Sequence, residues 1–123
     1  MIRFIQCVKR KEGMEIGEFR HFWNSAEFQS LLDRMVFLTG ARRIEKSLTL
    51  VVEVNSMLQH EKCLSEPFDG LIEVWVDNAK DLHASIETEE FSELMVDMKR
   101  FQSQFVDFSE SRRFFTEYNP QEL

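Results

Sequence analysis

The hydrophobic and polar positions of residues 68–77 alternate as they do in a buried β-strand. The even positions form one strongly apolar face: Phe68, Ile72, Val74 and Val76. The odd positions form a second, mixed face: Leu71, Glu73 and Trp75. A strand wetted on one side would carry polar residues on that side. The pattern therefore predicts a central strand that is covered on both faces.

Three other segments have the composition or the alternation of β-strands. Ile2 to Val8 is rich in Ile, Phe and Val, and a basic turn that reaches Gly13 follows it. Arg42 to Val54 alternates along most of its length. Arg113 to Tyr118 is typical of a last strand, since Pro120 comes soon after it. We therefore expect four strands in all.

Between the first two strands the apolar positions take the period of an α-helix. They share a narrow arc when successive residues turn by about 100°: Ile16, Phe19, Trp23 and Ala26. The same count places Glu27 near the buried edge, which is unusual for a carboxylate. Asn24 and Ser25 are good caps, so they predict a kink or a restart, and Gly40 is suited to end the helix. Residues 55–66 form a polar connector with room for one helical turn.

A second helical region follows the central strand. Asp77 or Asn78 is suited to cap a short helix that carries Leu82 and Ile86. Thr88 then caps a longer helix with acidic residues in its first turn, where the helix dipole favours them. Its apolar stripe is Phe91, Leu94, Met95, Met98, Phe101 and Phe105.

The order of these elements predicts a ferredoxin-like α+β fold over residues 1–123, as a single domain. In this βαββαβ arrangement two helices cover one face of a four-stranded antiparallel sheet. The other face would show apolar groups among charged ones: Ile5, Cys7, Val51, Leu71 and Trp75. A second copy stacked on that face would bury these groups and close a dimeric α+β barrel. We therefore expect a homodimer.

The charge balance argues against two kinds of partner. With 15 Lys and Arg against 22 Asp and Glu, the net charge is −7, and no basic run is present. Nucleic acid and anionic membrane surfaces both require such a run, and no apolar segment approaches the length of a membrane span. Cys7 and Cys63 are the two cysteines, and we expect them to be reduced in a cytoplasmic protein.

Phenylalanine is unusually common, with 12 Phe against one Tyr. Two interpretations stay open, because the rings either fill the core or also line an apolar ligand cavity. His21, His60 and His83 show no spacing that matches a zinc or non-haem iron site. A phosphate-binding loop and a dinucleotide fingerprint are both lacking in the sequence. We therefore expect neither a metal nor an organic cofactor.

Four motifs resemble the EthD family of the dimeric α+β barrel superfamily. In chain order they are Val8-Lys-Arg-Lys-x-Gly13, Phe19-Arg-x-x-Trp23, Phe68-Asp-Gly-Leu-Ile-Glu-Val-Trp75, and Asp97 with Phe101. The resemblance extends from about Ile2 to Tyr118. It implies a homodimer whose protomers each hold a small, largely apolar molecule between helices and sheet. Family members are linked to oxidative degradation of ethers and to decarboxylation, cyclisation or oxygenation of aromatic polyketides, generally without a cofactor.

The resemblance also indicates residues that would contact the ligand. Phe19, Trp23, Asp69 and Trp75 are the expected pocket residues. Packing in the core or at an interface is the alternative for the two tryptophans, and a role as a turn former or cap is the alternative for Asp69. Asp97 is expected to form a structural ion pair.

The candidate catalytic group is Glu27. The family usually has a His four positions after the helix Trp, and this chain has Glu27 there. Glu27 could act as an acid or base if an apolar pocket surrounds it; a salt bridge with Arg20 or Arg43 is the alternative. The functional hypotheses are a cofactor-independent oxidoreductase, decarboxylase or cyclase, a non-catalytic binding or accessory subunit, and an assembly module whose cavity is filled by Phe.

Overall fold

Four strands pair into an antiparallel sheet in the computed structural model, which describes residues 1–119. They are β1 (Ile2–Val8), β2 (Arg43–Leu48), β3 (Gly70–Val76) and β4 (Arg112–Glu117). Their order across the sheet is β2-β3-β1-β4, so β3 and β1 are the two central strands. The predicted central position of the strand that carries Trp75 is confirmed.

Helices connect the strands, and local capping residues set several of their ends. Within residues 1–119 the helices are α1 (Ile16–Trp23), α2 (Ala26–Thr39), α3 (Glu53–Glu61), α4 (Ala79–Ile86) and α5 (Glu89–Gln102). The side chains of Ser25, Asn78 and Thr88 each accept a hydrogen bond from the backbone N–H three residues later. These bonds satisfy donors that the helix leaves free. Gly40 ends α2 in the left-handed conformation, with φ of 65°.

The second strand is shorter than its alternating pattern predicted. β2 ends at Leu48 rather than Val54, because Leu48 pairs with Gly70, the first residue of β3. Thr49 N–H still donates to the Asp69 carbonyl at 3.0 Å, but within residues 1–119 the ladder with β3 does not continue past that bond. A strand needs such a partner for its N–H and C=O groups. The connector contains the two-turn helix α3 instead. Val51, expected on the sheet, lies outside it and is 70% exposed.

The helix-facing side of the sheet carries the core. Its centre is aromatic and is built from helices and the segment after α5: Phe19, Trp23, Phe28, Phe101 and Phe105. The Trp23 ring lies against Gly70, and a Cβ built there would be 2.6 Å from Trp23 Cη2. The contact between α1 and β3 therefore depends on the missing side chain at Gly70. Phe68, predicted on this face, precedes β3 and is exposed.

The opposite side of the sheet, here called the outer face, carries Arg3, Ile5, Cys7, Leu71, Glu73, Trp75 and their neighbours on β2 and β4. The guanidinium groups of Arg43 and Arg3 lie 4.8 and 5.9 Å from the Trp75 ring centroid. Arg3 Nη1 also donates to Glu73 Oε2 at 3.0 Å. These cation–π contacts and ion pair cover Trp75 within one protomer.

The predicted α+β, ferredoxin-like fold is confirmed. Each of the two expected helical regions is a pair of helices, α1 with α2 and α4 with α5, and α3 is additional. Among the described residues, no helix has both the length and the apolar character required to cross a membrane.

Candidate functional site

A cavity of about 770 Å³ lies between the helices and the helix-facing side of the sheet. Residues of β1, β3 and β4 form its floor, and residues of α2, α4 and α5 form its walls. Sites for small organic molecules typically measure about 300–1,000 Å³. This helix–sheet cavity is therefore large enough to hold one such molecule.

The wall of the cavity is mostly apolar. Its aromatic rings come from Phe4, Phe91 and Phe115, and its thioethers from Met35, Met95 and Met98. Phe4 and Phe115 are cross-strand partners whose ring centroids are 5.1 Å apart. Methionine side chains adapt to ligand shape and make favourable contacts with aromatic rings. The Phe residues thus both fill the core and line a cavity, so both interpretations of their abundance apply.

A few polar side chains interrupt this apolar wall. Gln6, Gln102 and Arg113 lie where α5 ends and β4 begins. Glu117 lies at the other end of β4, and His83 lies on α4. Polar groups placed in this way orient a ligand whose body is held by apolar contacts.

Two of the residues predicted to contact a ligand lie in a different place. Phe19 and Asp69 line a smaller hollow of about 180 Å³ beside the β1–α1 turn. Asp69 Oδ2 accepts from the Arg10 backbone N–H at 2.8 Å, and Asp69 Oδ1 accepts from Arg10 Nη1 at 2.7 Å. These bonds fix the turn after β1 to the residue before β3, which gives Asp69 a structural role distant in sequence from its own turn.

The two tryptophans are on opposite faces of the sheet, and neither lines a described cavity. Trp23 is 1% exposed in the core, and Trp75 is 4% exposed on the outer face. Their positions match the alternative in which both are packing residues. The β-sheet lies between the two tryptophans, so one ligand cannot contact both within a protomer.

The prediction that Glu27 lies near a buried helix edge is wrong. One helix ends at Trp23, and a second begins after Asn24 and Ser25. Glu27 is therefore in the exposed first turn of α2 rather than on the helix of Trp23. The angular positions calculated along α1 do not apply to residues of α2, because α2 is a separate helix. Glu27 lines neither cavity. The alternative salt bridges are also absent within residues 1–119, where Arg20 donates to the Thr49 carbonyl and Arg43 pairs with Glu45.

Lys46, which the sequence analysis did not single out, contacts both helices at the junction of α1 and α2. Lys46 Nζ donates to the Trp23 carbonyl at 2.7 Å and lies 5.3 Å from the Phe28 ring centroid. A cation suits the negative end of the α1 dipole. Burial lowers the pKa of the Lys46 amine, and its contacts identify it as a structural side chain.

The other candidate residues from the sequence are Asp97, the three histidines and the two cysteines, and most lie where the sequence predicts. Asp97 Oδ2 accepts from Arg34 Nη1 at 2.9 Å, which confirms the predicted structural ion pair. His21, His60 and His83 are exposed, although His60 lies in α3 rather than in a loop. Cys7 and Cys63 are free, and burial, with a smaller contribution from Glu73, raises the pKa of the Cys7 thiol.

No group of three or more His, Cys, Asp or Glu side chains within residues 1–119 is arranged to hold a metal ion. The titratable side chains that line the cavity come from different parts of its wall: His83, Arg113 and Glu117. They suit contacts with an organic ligand rather than joint coordination of a cation.

Known structures share this architecture at low sequence identity. No family model matches the sequence, and no curated protein matches it. An EthD family protein from Bacillus halodurans superposes with a TM-score of 0.62 at 14% identity, over 97% of this chain and 99% of that one. The fold is EthD-like. The resemblance predicted from the motifs is confirmed at the level of the fold.

Two further structures that share this fold are dimeric proteins. A dimeric protein of unknown function with a ferredoxin-like fold from Bacteroides fragilis has a TM-score of 0.61 at 13% identity, covering 95% of each chain. A dimeric ferredoxin-like protein of unknown function from Thermobifida fusca has a TM-score of 0.52 at 7% identity, covering 95% of this chain and 90% of that one. At these sequence identities the structural similarity indicates a shared fold, and it does not indicate which ligand this chain binds.

The polar residues of the cavity were missed by the sequence analysis, although a signal for them exists. Gln6 interrupts the apolar alternation of β1, and Gln102 interrupts the helical stripe between Phe101 and Phe105. A polar residue on an otherwise apolar face is the informative exception. Arg113 carries no such signal, because β4 is exposed along most of its length.

Proposed function

We propose that this EthD-like protein is a homodimer that binds one small, largely apolar molecule in the helix–sheet cavity of each protomer. The observation that carries the proposal is the cavity itself, about 770 Å³ in volume and walled by Phe and Met side chains. Apolar burial would supply most of the binding energy, and the adaptable Met side chains favour aromatic ligands.

The homodimer is supported by the outer face and by the dimeric relatives in structure. Ile5, Cys7 and Leu71 are half-buried there, and Phe114 is 47% exposed. Arg3 Nε and Trp75 Nε1 are buried donors without a partner in the described part of the chain. A second outer face packed on this one would bury the apolar groups and could accept from both donors.

Filling the cavity should abolish binding. Met95→Trp places a bulkier side chain from α5 into the cavity, and we expect at least about a tenfold weaker affinity for neutral 1-naphthaleneacetamide, measured by titration calorimetry. Val96→Trp is the matched control, because Val96 is the next residue on α5 and is 57% exposed. Leu82→Trp on α4 repeats the test if Met95→Trp does not fold.

Equal affinity for wild type, Met95→Trp and Val96→Trp would refute this cavity as the site. Native mass spectrometry of the purified protein provides an independent check, since a bound small molecule should be retained by Val96→Trp and lost by Met95→Trp. If no apolar aromatic binds and none co-purifies, the assembly-module hypothesis is favoured instead.

A second candidate function is proton-transfer catalysis without a cofactor, and His83 is the observation that favours it. His83 lines the cavity, and its Nε2 lies 3.0 Å from Glu87 Oε1. An imidazole beside a carboxylate can take a proton from an acidic C–H group of a bound ligand. Glu27 lies outside the cavity and is not needed for this step.

Deuterium exchange separates the catalytic proposal from simple binding. If the protein is a catalyst, it should accelerate exchange at the acidic carbon of 2-tetralone in D₂O, followed by NMR. We expect His83→Gln to remove the acceleration and Glu27→Gln to leave it within about twofold of wild type, because only His83 reaches the cavity. Loss with Glu27→Gln alone would restore Glu27 as the base. No acceleration by the wild type would favour the binding subunit.

A further inference from the structure

We infer that the molecule bound in the helix–sheet cavity carries a single carboxylate, held by Arg113, Gln6 and Gln102 where β4 begins. This inference rests on the proposed function. It adds the polar end of the ligand to the apolar body that the cavity wall already implies.

The sheet register brings two of these residues together. Gln6 on β1 and Arg113 on β4 are direct cross-strand partners, and both line the cavity. Side chains at paired positions share one face of an antiparallel sheet, with Cβ atoms about 4.5–5.5 Å apart. Gln102, the last residue of α5, lines the same cavity from the helix side. Two amides and one guanidinium therefore line this cavity, two from its floor and one from its wall.

Gln102 supplies the amide on the helix side of this site. Within residues 1–119 it is the buried polar side chain, with 5% exposure. Its backbone carbonyl accepts from the Phe105 and Val106 N–H groups. Its side-chain amide is not among the buried atoms that lack a partner in the described part of the chain, which are Arg3 Nε and Trp75 Nε1. The Gln102 amide therefore lines the cavity as an accessible donor, and an oxygen of a bound ligand can accept from it.

The charge of the site comes from Arg113. Six other arginines form ion pairs with carboxylates: Arg3, Arg10, Arg34, Arg42, Arg43 and Arg100. Arg113 forms none within residues 1–119 and stays available at the cavity. The facing carboxylate, Glu117, is four residues further along β4, or about 13 Å at the usual rise of a strand. The positive charge therefore stands at one end of the cavity only.

The donor set favours a carboxylate over other polar groups. A guanidinium matches the planar carboxylate with two parallel N–H···O bonds, and amide N–H groups can satisfy the remaining lone pairs. One arginine balances a single negative charge, whereas a phosphate dianion usually recruits several cations. The rest of the wall is mostly apolar, and its other titratable side chains, His83 and Glu117, lie away from Arg113, so the charge belongs at one end of the ligand.

Two ligands of nearly identical shape test this inference, 1-naphthaleneacetate and 1-naphthaleneacetamide. At pH 7 we expect wild type to bind the acid about tenfold more tightly than the amide, by titration calorimetry. Arg113→Met should weaken acid binding about tenfold and change amide binding less than about twofold. Gln102→Leu, which keeps the volume at that buried position, should weaken acid binding in the same direction.

Arg112→Met is the matched control, because it removes the same charge one residue away. Arg112 is the cross-strand partner of Cys7 on the outer face, and its Nη1 donates to the carbonyls of Ser109 and Ser111. It should bind both compounds as wild type does. Equal wild-type affinity for acid and amide, or equal losses in Arg112→Met and Arg113→Met, would overturn the carboxylate site and leave the apolar site intact. If neither compound binds to wild type, the proposed function itself fails.

Discussion

A protomer carrying Leu71→Asp should no longer dimerise. Leu71 is half-buried on the outer face, and its cross-strand partners are the uncharged Cys7 and Ser47. The new carboxylate can therefore stay solvated in a single protomer. In the proposed dimer it would be buried without a partner, which costs about 3–5 kcal/mol. We expect the dissociation constant of the dimer to rise by roughly a hundredfold or more.

Sedimentation velocity measures this directly, since the protomer mass is 14.7 kDa and the dimer has twice that mass. Phe37→Asp is the control, because Phe37 is 85% exposed on α2, on the helix side of the sheet. It should sediment as wild type does. A wild-type protein that stays monomeric at working concentration would refute the dimer.

Adding one methyl group at Gly70 should lower the free energy of unfolding by about 1–3 kcal/mol. A Cβ at this position would be 2.6–2.9 Å from three atoms of the Trp23 ring. Trp23 is 1% exposed and stacks on Phe19, with centroids 5.5 Å apart, so the ring has little room to shift. Urea unfolding of Gly70→Ala, followed by Trp fluorescence, measures the loss.

Gly17→Ala provides a control with the opposite sign. Gly17 lies near the start of α1, and an added Cβ there meets nothing within 4 Å. Because Ala favours a helix over Gly, we expect Gly17→Ala to gain about 0.5–1 kcal/mol. If Gly70→Ala were as stable as wild type, the close packing of Trp23 on β3 would be wrong. Reduced stability of both variants would point to a general sensitivity to substitution instead.

Glu27 shows why a helical pattern does not predict burial once one helix has ended and another has begun. The angular count that places Glu27 at a buried edge assumes that one helix runs from Ile16 onward. Ser25 caps a new helix, so the direction of the axis changes before Glu27. The same two residues, Asn24 and Ser25, predicted a kink or a restart, and the structure has the restart. The consequence for Glu27 required the relative orientation of α1 and α2, which capping residues do not specify.

The outer face shows a similar division between expectation and structure. Alternation placed Trp75 correctly on the side away from the core. It could not show that Arg3 and Arg43 cover the ring, because these residues are distant in the sequence and meet only through the register of β1 and β2 with β3.

The sequence by itself determined the presence of four strands and two helical regions, their order and the ferredoxin-like fold, because strand and helix periods and caps are properties of neighbouring residues. The tertiary structure alone decided where a ligand can bind. The helix–sheet cavity is the space left between strands and helices separated by up to a hundred residues along the chain, as Gln6 and Gln102 are. Its volume depends on how closely the helices approach the sheet, and no local pattern of residues encodes that distance.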